Sequence, residues 1–348
     1  MKPRVYLDHN ATTPLRAEAR AAMTDAMDVI GNPSSVHAEG RKAKSVLERA
    51  RADVTTAFGA DGADVIFTAT ATEAAALALR DRAFHAGDIE HDAVAAWVTS
   101  DLSVGLDGAV TVTEPAQTVL QAANSETGIV QKLPEGLAVS DMTQAFGKLP
   151  VAFNWSGCQM AMISAHKLGG PKGIGALVVK RGTDIEAQIR GGGQEMGRRS
   201  GTENIIGAAG FAAAAKAAAD DLANGVWDRV ASLRDLLEET LVAEADDTIF
   251  VGAGVDRLPN TLCLATPGWK GETQVMQMDL AGYAISAGSA CSSGKVRASR
   301  VLKAMGYAEE IAAGAIRVSL GPESTEQDVL GFAESWLAHY RKHRARAA

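Results

Sequence analysis

The stretch that most constrains this chain is residues 161–179, where Lys167 stands between two short apolar runs. Runs of that length bounded by glycine and polar residues read as buried strands. The first, 161–163, ends in Ser164 and His166, and the second, 174–179, begins after Gly-Gly-Pro-Lys-Gly. Lys167 therefore sits where a strand has just ended. A lone lysine in such a place is commonly a solvated loop charge. Here the glycines that follow let a ligand approach the backbone, and Ser164 and His166 offer hydrogen-bond donors suited to a phosphate. A desolvated lysine loses proton affinity and becomes a nucleophilic amine, the form in which lysines hold carbonyl cofactors as Schiff bases.

The rest of the chain alternates strand and helix. Residues 4–7 read as a strand, 15–29 as a helix, and 38–58 as a longer helix stopped by Gly59. A strand at 64–68 leads through Thr70-Ala-Thr-Glu73, a capping-box pattern, into a helix over 71–84. A helix start directly after a strand presents free backbone amides, so Ala71 and Thr72 are candidate anion ligands; an ordinary strand-to-helix turn has the same residues. Strands are expected at 117–122, ending at Asn124, and at 137–139, ending at Asp141. Helices are expected at 203–222, from 227 to 245, and at 295–305. Four strands thus end in polar groups: Thr72, Asn124, Asp141 and the Ser164 to Lys167 set. Ligands in open α/β sheets bind beyond the carboxyl ends of strands, so one site assembled from separate segments is predicted. Neither a dinucleotide-type glycine fingerprint after a strand nor a P-loop is present.

Composition sets the outer limits. A chain of 348 residues, 47% of them hydrophobic, buries one large and one smaller core. With 34 basic and 42 acidic residues the net charge is −8, which speaks against a nucleic-acid surface. Neither a signal-peptide core nor an apolar stretch of about 18 residues is present, so no membrane is expected and the cytoplasm is the default. Three cysteines, Cys158, Cys263 and Cys291, are too few and scattered for a disulfide framework or a zinc site. Cys158 and Cys263 read as buried small hydrophobes. Cys291, in Ser286-Ala-Gly-Ser-Ala-Cys-Ser-Ser-Gly294, has only small or polar neighbours, the setting of an exposed and reactive thiol. A helix following it would aim its N-terminal dipole at that loop.

Ser-Ala-His-Lys167 followed by Gly-Pro-Lys-Gly-Ile-Gly resembles the cofactor-lysine motif of the pyridoxal-phosphate (PLP) cysteine desulfurases, the NifS/IscS type of class V aminotransferases. The resemblance runs almost end to end, through Tyr6-Leu-Asp-His-Asn-Ala-Thr-Thr-Pro14, Gly31-Asn-Pro-Ser-Ser35, Gly191-Gly-Gly-Gln-Glu195, Arg199-Ser-Gly-Thr202, Gly288-Ser-Ala-Cys291 and Ile316-Arg-Val-Ser-Leu-Gly321 in order. It implies a fold of the α/β class, the PLP-dependent transferase fold type I. A large domain (residues 14–222) with a mixed, mostly parallel sheet would join a smaller α+β domain (1–13 and 223–348) carrying the cysteine loop. It implies that Lys167 carries the cofactor, Asp141 pairs with the pyridine nitrogen, Gln144 meets the ring hydroxyl oxygen and His91 stacks on the ring and relays protons. Ala71, Thr72, Ser164 and His166 would hold the phosphate, joined by Thr202 from the other subunit of a homodimer. Asn124-Ser-Glu-Thr-Gly128 replaces the commoner Asn-Asn-Glu pattern, so either Asn124 or Ser125 contacts the cofactor. Arg317, a structural ion pair or a carboxylate fork on its own terms, would grip the substrate carboxylate by resemblance, with Asn10 also at the substrate.

The implied reaction converts L-cysteine to L-alanine, moving sulfur to Cys291 as a persulfide and on to an acceptor protein such as an iron-sulfur scaffold. A selenocysteine lyase or another class V enzyme shares Lys167 and Asp141. A partner-dependent sulfur-transfer subunit is the further alternative. It is suggested by Ala74-Ala-Ala76, where the family carries polar residues, and by connections from His91 to Asn124 and from Glu126 to Asp141 that are shorter than the family usually has. The second departure predicts missing outer helices.

Overall fold

The computed structural model describes residues 4–288 and 298–347. In chain order the elements are β1 (Val5–Tyr6), α1 (Ala17–Met27), α2 (Ala38–Ala57), β2 (Asp64–Thr68), α3 (Ala71–Leu79), β3 (His85–Gly87), α4 (Asp92–Ala95), β4 (Thr99–Leu102), β5 (Val139–Asp141), β6 (Met160–Ser164) and β7 (Gly175–Val179). There follow α5 (Ile205–Ala223), α6 (Val226–Val242), β8 (Ile249–Val251), β9 (Thr261–Ala265), α7 (Gly271–Ala281), β10 (Tyr283–Ala284), β11 (Ser286–Ala287), α8 (Arg300–Ala304), α9 (Glu309–Ala313), β12 (Ala315–Ser319) and α10 (Glu326–Ala347).

The first sheet runs β2-β7-β6-β5. Single bridges from Val139 to Val119 and from Thr118 to His85 extend it to the β3–β4 pair. Within that extended array β7 runs against its neighbours and the other described pairings are parallel. Side chains alternate across it because successive strand residues point to opposite faces. Val65, Phe67, Ala161, Ile163, Ala176 and Val178 face α1, α2 and α5 in one apolar cluster. Ile66, Met160, Met162, Leu177 and Val179 face α3 in another. Alanines fill much of α5, which lets it lie close against α1 and α2. The carboxyl ends of β2, β5 and β6 consequently open on one edge.

A second sheet, β11-β12-β9-β8, is antiparallel. On β12, Ile316 and Val318 join the aromatic-rich cluster of α6, α7 and α10 that contains Trp269, Trp336 and Tyr340. The alternation turns Arg317 to the opposite face, level with Cys263 on β9. Cys263 packs there with Leu302, Met305 and Ala312. Both described cysteines are buried, as expected, and burial pushes the Cys158 thiol up to about 11 and raises that of Cys263 strongly.

Several elements differ from the sequence expectation. The strand expected at 117–122 begins as a 3₁₀ turn, Pro115–Gln117. Beyond it, Leu120 and Ala122 donate to Val139 and Asp141 as in a ladder, but the Gln121 amide is drawn instead to the Glu90 carboxylate at 2.8 Å. That diversion breaks the regular pattern. The helix expected to reach residue 84 ends at Leu79, because Arg80 is extended and Asp81 adopts φ 59. The strand expected at 137–139 lies at Val139–Asp141, and the helix expected from 203 starts at Ile205, with Asn204 as its cap. Residues 295–297 of the helix expected at 295–305 lie outside the described residues, and α8 begins at Arg300. Between α4 and β5 no α-helix occurs among the described residues.

Candidate active site

Strand ends and one helix start build the site. β6 delivers Ser164, and the 3₁₀ turn Ala165–Lys167 then lifts His166 and Lys167 to the sheet edge. β5 delivers Asp141, whose Oδ1 accepts from the Thr143 amide at 2.9 Å and so fixes the following turn. Thr70 caps α3 by accepting from the Glu73 amide at 3.1 Å, while Glu73 Oε2 reaches back past the cap to accept from the Ala69 amide at 2.7 Å, a variant of the expected capping box. Neither bond uses the amides of Ala71 and Thr72. A Cβ on Gly175 would stand 2.9 Å from the Thr70 carbonyl carbon and 3.0 Å from the Ala71 nitrogen, so only glycine lets β7 run this close to the helix start.

These parts enclose a cavity of about 350 Å³, within the size range of small-ligand sites. It is lined by Ala71, Thr72, His91, Ser125, Asp141, Gln144, Ser164, His166 and Lys167 of the sequence-predicted set. A larger groove between α1, α2 and α5, about 580 Å³, is walled by alanines and charges and contains none of them.

Four expected residues, Asn124, Thr202, Arg317 and Asn10, are placed elsewhere. Asn124 does not line the cavity: its Oδ1 accepts from the amides of Glu126 and Thr127 and its Nδ2 donates to Ile89 O at 3.0 Å, so its side chain is used in holding the turn. Ser125 reaches the wall instead. Thr202 is exposed, and its loop is tied to the large sheet by Arg198–Asp64 at 2.7 Å, to α3 by Arg199–Glu73 at 2.9 Å and to α2 by Arg51–Glu195 at 2.6 Å. Arg317 is 4% exposed behind the wall. Its Nη2 donates to Asp8 Oδ1 at 2.6 Å and its Nη1 to Ser125 O at 2.9 Å. Asn10 is buried between the two sheets, donating to Thr261 Oγ1 and to Ser125 O. Cys291 lies outside the described residues.

Lys167 Nζ donates to the carbonyls of Asn10 and Ala11 at 2.6 and 3.0 Å. His166, its Nδ1 3.2 Å from Thr12 Oγ1, is pushed down to about 4 by burial and by Lys167, Lys172 and Lys148, so it is a neutral hydrogen-bonding group near pH 7. His91 caps α4 by accepting from the Ala93 amide at Nδ1, which turns its Nε2–H outward. Glu90 beside it is almost wholly enclosed, and burial, with Asp141 nearby, raises its carboxyl to about 8.

Sequence reasoning did not find Gln121 and Thr143 in the lining, or Glu90, Asp8 and Lys148 behind it. Lys148 carried one available sign, its spacing of one helical turn from Gln144. The others bore none, since burial alone distinguishes them from surface polar residues. The donor set fits PLP: an amine for its aldehyde, a carboxylate for its ring nitrogen, and helix amides with hydroxyls for its phosphate.

A fold with one antiparallel strand in an otherwise parallel sheet, and a lysine at the sheet edge facing a carboxylate, defines a PLP-dependent enzyme. The aminotransferase class-V family model matches residues 5–98 and 110–332, and the chain belongs to that family. It is 37% identical to a cysteine desulfurase of Cereibacter sphaeroides over 94% of this chain and 93% of that one. The structure of a NifS-like protein from Rickettsia africae superposes with a TM-score of 0.88 at 30% identity, covering 97% of this chain and 99% of the other. The structure of SspA in complex with cysteine gives a TM-score of 0.75 at 25% identity, covering 92% and 100%. The cofactor of this family is PLP.

Proposed function

We propose that this enzyme is a cysteine desulfurase that takes L-cysteine, releases L-alanine and passes the sulfur through Cys291 to an acceptor protein. The observation that carries this reading is the convergence of the Lys167 amine, the Asp141 carboxylate and the α3 amides on one cavity. Bound PLP supplies a carbonyl for an amine and a ring that accepts the electrons of a broken substrate bond. Asp141 would pair with the ring nitrogen, with Gln144, Ser125 and His91 at the ring, and Ala71, Thr72, Ser164 and His166 would receive the phosphate. Lys167 Nζ would hold the carbonyl and, once displaced by the substrate amine, would move the substrate α-proton. Arg317 uses two of its five N–H donors on Asp8 and Ser125; those remaining, including a buried Nε without a partner, suit a carboxylate held beside Asn10. The Cys291 thiolate attacks the substrate sulfur. An S–S bond forms, the substrate Cβ–S bond breaks with its electron pair left on Cβ, protonation there makes the methyl group, and return of a proton to Cα by Lys167 Nζ with release of the amino group from the cofactor would complete alanine.

We further assign residues 14–222 to a large PLP domain and 1–13 with 223–348 to a small one. The same reading makes the protein a cytoplasmic homodimer in which the partner's Thr202 completes the phosphate site, with an iron-sulfur scaffold as acceptor. Among the described residues no helix is long and apolar enough to cross a membrane. Purified protein given L-cysteine and a reductant is expected to form alanine and sulfide in equal amounts. Cys291→Ser should keep its cofactor and its spectral response to cysteine yet release almost no sulfide. Full sulfide production by that variant overturns the persulfide role, and selenide from selenocysteine alone assigns the enzyme to the lyase class instead.

A further inference from the structure

Behind Gln144 lies a lysine that the proposed reaction does not use. Lys148 is 2% exposed, and its Nζ donates to Gln144 Oε1 at 2.6 Å and to Asn10 Oδ1 at 2.9 Å. The Gln144 amide is thereby held at both ends, because its Nε2 donates to Asn10 O at 3.0 Å. A backbone carbonyl has no donor, so the bond to Asn10 O keeps Nε2 on that side and turns Oε1 to the donor that Lys148 supplies. Reversing the amide would set its oxygen against the Asn10 oxygen and give up the Lys148 bond as it stands. The second N–H of Nε2 is left for the cavity that Gln144 lines. The Asn10 carbonyl is also the one that receives Lys167 Nζ at 2.6 Å. Asn260 Nδ2 completes the cluster by donating to Asn10 Oδ1 at 3.1 Å.

We propose that Lys148 is a positioning residue: a buried amine that clamps Gln144 and Asn10 and holds Gln144 so that it presents an N–H donor to the ring oxygen of the cofactor. This rests on the reading that Gln144 meets that oxygen. The two acceptors of Lys148 match the two N–H bonds of a neutral amine. The titratable and charged groups around it are Lys167, Arg317, His9 and His166, none of them a carboxylate that would hold an ammonium. Burial first, then Lys167 and Arg317, lowers its pKa well below 10.5. Burying a lysine is costly for stability, and a methionine would fill the volume. What the lysine supplies instead is the orientation it imposes on Gln144. A donor facing the ring oxygen would favour the anionic form of that oxygen and so lower the proton affinity of Lys167 Nζ once it is joined to the cofactor.

The test is a pH titration of the absorbance of bound cofactor in the holoenzyme for wild type, Lys148→Met, Gln144→Leu and the double variant. Lys148→Met is expected to raise the midpoint by about one pH unit, a tenfold change in proton affinity. Gln144→Leu should do the same, and the double variant no more than Gln144→Leu alone, since the two act through one contact. Lys148→Gln, which retains two N–H donors, should restore most of the wild-type value. In apoprotein, wild type should gain stability relative to Lys148→Met as pH rises toward 10.5, because the unfolded lysine binds a proton that the folded one does not. An unmoved midpoint in Lys148→Met alongside a shifted Gln144→Leu overturns the proposal and leaves the Gln144 reading intact. If neither moves, the Gln144 reading itself falls. Additive shifts, a Lys148→Gln indistinguishable from Lys148→Met, or an apoprotein stability difference that stays flat with pH each overturn it as well.

Discussion

Arg317 on β12 and Asp8 just after β1 form an ion pair of 2.6 Å, with side chains 5% and 16% exposed, behind the wall of the cofactor cavity. Asp8 Oδ2 also accepts from Ser286 Oγ at 2.8 Å, so one carboxylate joins the N-terminal segment to two strands of the second sheet. Removing one partner of a buried pair leaves the other charge uncompensated, at about 3–5 kcal/mol. Asp8→Asn is therefore expected to lower unfolding stability by roughly 3 kcal/mol in denaturant titrations. Arg317→Ala should also weaken cysteine binding by about 1.5–3 kcal/mol, the loss of a charge-assisted bond. An unchanged KM for cysteine in Arg317→Ala confines the residue to the ion pair.

Lys167→Ala should abolish the borohydride-reducible link between protein and cofactor. Lys167 is the one lysine among the described residues that line the cavity, and its contacts to Asn10 and Ala11 are to backbone carbonyls that a released lysine can regain. Peptide mapping after reduction is the measurement. Cofactor fixed to any other lysine refutes the assignment.

Stability should depend on pH in two opposed windows. His9 and His166 are lowered from 6.5 to about 4, chiefly by burial, so between those values the unfolded chain binds protons that the folded one does not. Their contribution is complete above 6.5 and is lost as pH falls toward 4. Glu90 is raised from 4.5 to about 8, so its contribution is complete below 4.5 and is lost as pH rises toward 8. Thermal melts of the apoprotein should show Glu90→Gln gaining on wild type between pH 4.5 and 8. A difference that stays constant over that window removes Glu90 as the titrating group.

Cofactor retention should depend on association of two chains. Thr202 is exposed and does not cap α5, a task done by Asn204, which accepts from the Gly207 amide at 2.9 Å. A side chain with no capping role in its own chain is free to serve the other. Ligand contacts supplied by a partner couple the two equilibria. Dilution should release PLP as dimers dissociate, and Thr202→Ala should shift both processes to higher protein concentration. Sedimentation followed at the cofactor absorbance tests this; a monomer that keeps its PLP refutes it.

The cluster of site residues at strand ends could be read from the chain because its causes are local. Short apolar runs make the five-residue strands β2, β6 and β7, glycines and a helix cap end them, and the polar residue that follows must stand at the sheet edge. Thr72, Asp141, Ser164 and Lys167 were thus placed together by short-range rules, and the family resemblance added His91 and Gln144 to the same cavity. Long-range packing decided the rest. Asn124 and Ser125 are adjacent in sequence, and only the folding of residues 124–128 onto Ile89 turned one amide inward to a turn and the next hydroxyl to the cavity. Glu90 broke an expected strand by capturing the Gln121 amide 31 residues away. Lys148 looks like any loop lysine until Asn10, 138 residues earlier, closes over it. Chain order shows which groups can donate or accept. Only the tertiary structure removes water from around them, and that removal lowers the proton affinity of a buried lysine, raises that of a buried glutamate and makes each an oriented part of a site.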